Sequence, residues 1–296
     1  MKRKFHIDED KVFYFVAYVL VTLVALSVLY PIIYVISASF SSPSAVRTGK
    51  VVFWPVDISL KGYRAVFENK EVLIGYRNTI FYTVAGTFIN VMLTLFAAYP
   101  LSRKDLAGRR GILFFFTFTM LFSGGMIPSY LLMRDLHMLN TVWAVLLPGA
   151  VAVYNLMVTR SYIESNLPQE LQEATQVDGC SDLTYFWKFV LPLSKPVIAV
   201  ITLFYAVGHW NSYFNAFLYL DDRNLYPLQL FLREILVNNQ IQAELNFDTA
   251  YLVDRQGMAE LLKYSLIVVS TLPIMCFYPF IQKYFVQGIM IGSVKS

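Results

Sequence analysis
The chain has 296 residues, 57% of them hydrophobic and only 15% charged, with a formal net charge of +4. A soluble globular domain carries roughly a quarter charged residues, so this deficit and the long uncharged runs exclude one and point to an integral membrane protein. Basic residues sit beside apolar runs rather than in a nucleic-acid patch, and two cysteines, Cys180 and Cys276, make neither a disulfide framework nor a metal-ligand spacing.

Taken in order, the chain predicts six spans. An N-terminal MKRK precedes an apolar run, Val12–Ala38, which is too long for a secretory signal and reads as an uncleaved first span, with Pro31 as its kink. A polar connection, 39–77, leads to the second span, Asn78–Leu101, where Thr83, Gly86 and Thr87 are small or hydroxylic packing residues. After the basic loop SRKDLAGRR comes the third span, Gly111–Met133, interrupted by Ser123-Gly124-Gly125 and Pro128. A tight turn, Arg134–Asn140, precedes the fourth span, which starts with Thr141–Met157 and ends near Arg160. The fifth span is Val197–Leu220 and the sixth Leu261–Phe285, with a polar connection between them. Six spans place both termini on one side. Lys2, Arg3, Lys4, Lys11 and the Arg103–Arg110 loop make that side cytoplasmic by the positive-inside bias.

The stretch between the fourth and fifth spans, Leu167–Pro196, is the longest mixed polar and apolar segment. From Pro168 to Asp178, Glu170, Glu173 and Asp178 lie opposite Leu171, Ala174 and Val177, the pattern of a short amphipathic helix. Asn166 is read as its cap and Gly179 as its left-handed stop. Ser181 then caps a second helix, Leu183–Val190, ending at Leu191-Pro192. This is a docking elbow beside a membrane.

The elbow resembles the EAA loop of bacterial ABC-transporter permeases. The carrying residues are Glu173-Ala174-Thr175, Gly179, Phe189, Leu191 and Pro192, with Leu193 and Pro196 beyond; Thr175 and Phe189 depart from the usual Ala and Ile. The closing stretch, KYFVQGIMIGSVK at 283–295, is similar to the ends of carbohydrate-uptake permeases. Within these it resembles a branch for complex oligosaccharides and polysaccharide fragments, sometimes acidic, and the chain as a whole is similar to maltose-type permeases.

The resemblance implies an all-α polytopic protein with the type I ABC importer permease fold. It implies one transmembrane domain over 1–296, a core module over 76–285 and a cytoplasmic coupling loop over 167–196, in a bacterial cytoplasmic (inner) membrane. It further implies a second permease subunit, two ATP-binding subunits, an extracytoplasmic solute-binding protein and an oligosaccharide substrate. ATP and Mg would reside on the partner subunits, with no cofactor in this chain. Glu170, Glu173, Ala174, Thr175, Asp178 and Gly179 would form the ATPase-coupling surface. There Glu173 would make an ionic contact, Ala174 and Thr175 would allow close approach, and Gly179 would supply the hinge.

The residues themselves agree on what is missing. No G-x-x-x-x-G-K-[ST] and no G-x-S-x-G occurs, and His6, His137 and His209 lack an i,i+4 metal partner, so no catalytic or metal residue is assigned. Apart from His209 the spans hold almost no ionisable groups. Ion-coupled carriers usually need such groups, so energy is expected to enter from outside the membrane core.

In the fifth span, Trp210, Asn211, Tyr213 and Asn215 are candidates for a substrate path, with Asn211 and Asn215 sharing a helix face at i,i+4. Tyr82, Asn90 and Tyr205 are weaker candidates. Helix–helix hydrogen bonding or an interfacial aromatic belt would use the same residues. His209 is read as a neutral imidazole bonded to a neighbouring helix, and Gly124-Gly125-Pro128 as a packing kink. An ABC permease for a non-sugar solute, or a secondary carrier independent of ATP, are the alternatives.

Overall fold
The computed structural model describes residues 9–245 and 257–276. The MKRK segment, the end of the sixth expected span and the closing stretch 283–295 lie outside the described residues. Among those described there are no β-strands. The helices are α1 (Glu9–Ser39), α2 (Pro43–Arg47), α3 (Lys61–Glu68), α4 (Lys70–Ser102), α5 (Arg109–Leu121), α6 (Met126–Asp135), α7 (Trp143–Leu146) and α8 (Val153–Asn166). There follow α9 (Gln169–Val177), α10 (Asp182–Tyr185), α11 (Leu191–Leu193), α12 (Lys195–Asn211), α13 (Phe214–Tyr219), α14 (Leu228–Leu245) and α15 (Gly257–Cys276).

Three of these, α1, α4 and α15, are long and apolar enough to cross a membrane unbroken. Two bent pairs add up to two more spans: α5 with α6, at 115°, and Asp182–Leu193 with α12, at 80°. The continuous fourth span expected from Thr141 is absent. The helix there is the four-residue α7, and Pro148 and Gly149, at φ +73°, separate it from α8. Proline offers no N–H and glycine takes the left-handed turn, so the apolar run folds as two pieces. The fifth span is shorter than expected for a related reason. It stops at Asn211, whose side chain donates to the Val207 carbonyl, and Ser212 is extended at ψ 127°. Asn211 and Asn215 therefore sit on different helices and share no face.

The chain divides into two compact units. One comprises the residues up to Asn69 with Leu232–Thr271. In it Ala38, Ala45, Val46, Val51 and Leu261 form an apolar core, and the Ser39 hydroxyl meets the Tyr63 hydroxyl at 2.8 Å. From Val12 to Ile32 helix α1 is apolar all round and largely exposed, which suits a helix surrounded by lipid, while its last turn at Ala38 and Ser39 is buried.

The other unit, Lys70–Phe231 with the residues from Leu272, is organised around α4. Its buried positions Val72, Gly75, Thr79, Tyr82, Gly86, Asn90 and Thr94 recur every three or four residues and make one continuous stripe. Association of spans in lipid rests on close packing and interhelical hydrogen bonds rather than on exclusion of water. Both occur along the seam with α12. A Cβ on Gly86 would collide with the His209 ring; Asn90 Nδ2 meets His209 Nε2 at 3.0 Å, and the hydroxyls of Thr94 and Tyr205 meet at 2.7 Å. Tyr205 also accepts from the Ala152 amide at 3.0 Å. The expectation that His209 bonds a neighbouring helix is met.

Candidate functional site
The elbow forms as a helical hairpin rooted in the core of the second unit. Helix α9 ends in a two-bond C-terminal lock: the Gly179 amide donates to the Gln176 carbonyl at 3.0 Å and the Cys180 amide to the Thr175 carbonyl at 2.9 Å. Gly179 takes φ +76°, as its position in the sequence predicts. Ser181 caps α10, its hydroxyl accepting from the Thr184 amide at 3.3 Å. Asn166 does not cap α9. It is the last residue of α8 and its side chain donates back to the Tyr162 carbonyl at 2.9 Å, while Pro168 holds the N-cap position with no side-chain bond.

The second helix also runs on where a stop was expected. Beyond α10 the chain widens into a π-turn, Phe186–Val190, and α11 carries Pro192 before the break at Ser194. A wider turn ahead of Pro192 moves away the carbonyl that the proline ring would meet in a regular α-turn. Tyr185, Phe186 and Val190 are buried among Leu95, Ala98, Leu156 and Ile201, so this arm is anchored on α4, α8 and α12.

Burial re-orients α9 relative to its sequence pattern. Leu171 packs on the core and Thr175 is buried, whereas Val177 is 89% exposed and Ala174 is exposed beside Glu170, Glu173 and Asp178. The stripe Leu171, Ala174, Val177 is thus not the inner face. The outer surface instead mixes carboxylates with bare Ala174 and Val177, and Leu183 on the second arm is 64% exposed. Glu173 accepts from Gln169 Nε2 at 2.9 Å, one turn away on the same surface. An apolar and acidic surface on a short helix can dock against a complementary partner surface.

Two arginine networks, one at the root of the elbow and one reaching both its arms, were not legible as such in the sequence. Arg109 Nε and Arg160 Nε both donate to the Leu101 carbonyl, at 2.9 and 3.1 Å, and both guanidiniums pair with the carboxylate of Glu164. This supplies donors for a carbonyl in the last turn of α4, which its own helix leaves bare. Arg103 forks onto Asp105, Nε at 3.0 Å and Nη2 at 2.6 Å, and its Nη1 pairs with Asp182 at the start of α10. The Gln172 amide oxygen accepts from Arg103 Nη1 and Nη2 at 3.0 Å when the amide is oriented to suit them. The Arg103 hydrogen bonds hold the Asp105 carboxyl below the usual carboxylate range. In the sequence Arg103, Asp105 and Arg109 read only as part of a basic loop; the Arg160/Glu164 spacing of four was the one other signal.

Glu164→Gln is expected to destabilise the protein by roughly 1–3 kcal/mol, because two partly buried guanidiniums lose their shared anion. Thermal unfolding of the detergent-solubilised protein measures this, and an unchanged midpoint would remove the network from the account.

The path candidates separate by environment. Tyr82 is buried and donates to the Leu225 carbonyl at 2.8 Å. Trp210 is buried, edge-on to Tyr76 with ring centres 6.1 Å apart. Asn90 and Tyr205 belong to the α4–α12 seam. Asn211 and Tyr213 are exposed, and Asn215 is half-buried at the start of α13. Among the described residues no group of three or more His, Cys, Asp or Glu could hold a metal.

Residues 72–291 match the family of binding-protein-dependent transport system inner membrane components. The chain is 40% identical over 289 residues to the polygalacturonan/rhamnogalacturonan transport system permease protein YtcP of Bacillus subtilis (strain 168), covering 97% of this chain and all of that one. It is 41% identical to protein LplC of the same organism, over 90% of this chain and 89% of that one. Among solved structures, a chain of a bacterial ABC transporter involved in the import of the acidic polysaccharide alginate superposes with a TM-score of 0.85 at 38% identity. That match covers 95% of this chain and 99% of the other.

Proposed function
This chain belongs to the binding-protein-dependent transport system inner membrane component family, and we propose that it is the permease subunit of an ATP-driven importer of oligosaccharides, including acidic polysaccharide fragments. The substrate class is carried over from similarity to a polygalacturonan/rhamnogalacturonan permease and to a chain of an alginate importer. The protein pairs with a second permease, two ATP-binding subunits holding ATP and Mg, and an extracytoplasmic solute-binding protein. Both termini and the elbow face the cytoplasm, and residues 76–285 form the core module.

The observation that carries the mechanism is the exposed Ala174, Val177 and Glu173 surface on a hairpin whose other arm is buried in the core. Helix α9 lies in a cleft of the ATPase subunit. Closure of the ATPase pair on ATP pushes the elbow, and its anchorage on α4, α8 and α12 turns that push into alternating access. Glu173 and Glu170 face basic residues of the cleft, Ala174 and Val177 supply close apolar contact, and Gly179 with Asp178 sets the angle between the arms. On the substrate path, Asn211, Tyr213 and Asn215 offer amide and phenol groups to sugar hydroxyls, with Trp210 and Tyr82 supporting the wall from behind.

The test reconstitutes the co-purified complex in vesicles with binding protein and a labelled oligogalacturonate. Uptake is expected only with ATP on the elbow side. Glu173→Ala should lower binding-protein-stimulated hydrolysis about tenfold, the equivalent of losing one ionic hydrogen bond of roughly 1.4 kcal/mol. Uptake that continues without the ATPase subunits would establish a carrier instead. Competition by neutral oligosaccharides as strong as by acidic ones would remove the acidic preference.

A further inference from the structure
We infer that Arg103 is the positioning residue that hooks the elbow to the end of α4, so that a push on α9 moves α4 as well as α12. The inference rests on the proposed function, since it concerns how that push is shared.

Covalent continuity already links the elbow to two helices. Helix α9 follows α8 directly, and the second arm runs through α11 into α12. Helix α4 has no such link, because its last residue, Ser102, precedes the elbow by more than sixty positions. Its connections to the hairpin are packing and polar contacts. The packing is apolar and partly aromatic: Leu95 and Ala98 share a core with Tyr185 and Val190, and Tyr99 lies against Phe186 with centres 5.6 Å apart and against Tyr185 at 6.2 Å. Packed helices can still shear past one another by small amounts, whereas forked hydrogen bonds fix both distance and register.

Arg103 supplies the directed contacts. Its side chain is 17% exposed, and one guanidinium reaches Asp105 in its own loop, Gln172 on α9 and Asp182 on α10. Asp182 stands at the first position of α10, where a negative charge also favours the helix N-terminus. The planar fork makes this three-way junction available to arginine and not to lysine, whose ammonium acts as a single point. The Glu164 network joins α8 to the end of α4 and serves as footing. Arg103 adds both arms of the elbow to that footing, which is the arrangement needed for α4 to follow the hairpin.

The experiment measures substrate uptake and ATP hydrolysis together in the reconstituted complex, so that their ratio is the readout. Arg103→Gln is expected to raise the ATP consumed per substrate imported at least about fivefold, the low end of typical coupling between sites, with subunit assembly intact. Asp182→Asn should give a smaller rise, the double variant no more than Arg103→Gln alone, and Arg103→Lys partial rescue. A wild-type ratio in Arg103→Gln overturns the inference. So does a parallel loss of assembly, hydrolysis and uptake in every variant, which would mark a merely structural residue. A wild-type complex whose uptake ignores ATP would bring down the importer reading, and this inference with it.

Discussion
Gly179→Val is expected to cut ATP-driven uptake at least about tenfold while leaving the permease folded. Glycine sits there at φ +76°, and a β-carbon at that position would meet nothing within 4 Å. The penalty is therefore conformational: a side chain in the left-handed region costs roughly 1–2 kcal/mol, more for a β-branched one. The hydrogen bonds from Gly179 and Cys180 that close α9 would yield first, and the angle between the two arms with them. A free-energy change of about 1.4 kcal/mol at a mechanical joint corresponds to a tenfold loss. Gly179→Asn should retain most activity, because asparagine tolerates this region. Uptake per assembled complex distinguishes the cases. Full activity in the valine variant would show that the turn angle is irrelevant; equal loss in both would place a partner's backbone against the glycine.

The second large effect is predicted at the α4–α12 seam. Gly86→Leu should abolish recovery of folded protein, since the space a side chain needs is filled by the His209 imidazole. Overpacking a close crossing typically costs 1–3 kcal/mol, and here separating the helices would also break the Asn90–His209 bond. The milder Gly86→Ala should lower the thermal midpoint. Adding His209→Ala should recover most of that loss, because the collision is removed even though Asn90 loses its partner. Size-exclusion profiles and melting curves of the wild type, both Gly86 variants, His209→Ala and the double variant test this. If Gly86→Ala melts like the wild type, or if the double variant is worse than either single one, the crossing is not limited by that contact.

How much of this could be read from the residues alone depended on how local the cause was. The Gly179 turn and the Ser181 cap are decided by a few neighbouring atoms, and both formed as read. Apolar runs located the helices, because membrane spans advertise themselves by composition. Where a proline or a polar pair competes with its surroundings, local reading failed. Pro192 was taken as a stop but is absorbed by a π-turn, and Pro148-Gly149 broke an apolar run that looked continuous. Asn211 and Asn215 were placed on one face only by assuming a helix that Ser212 ends. Hydrophobicity alone put Ala174 and Val177 on one stripe with Leu171, and Thr175, expected on the coupling surface, is buried. The tertiary anchor is set instead by Leu171 and by Thr175, whose hydroxyl bonds the Gln172 carbonyl at 2.8 Å and so enters the core satisfied. The arginine junctions join residues up to 79 positions apart, which no short spacing could have indicated.

The unequal exposure of the charges on the elbow and of those at its root makes ionic strength a tool for separating two functions. Glu170 and Glu173 stand in open solvent, where ions at about 0.15 M screen attraction beyond roughly 8 Å. Arg109, Arg160 and Glu164 are 17%, 22% and 29% exposed, and mobile ions reach them poorly. Added salt should therefore loosen whatever grips the outer face of α9 well before it loosens the footing beneath. A partner stripped off in this way would leave behind an elbow still set at its working angle, ready to be gripped again.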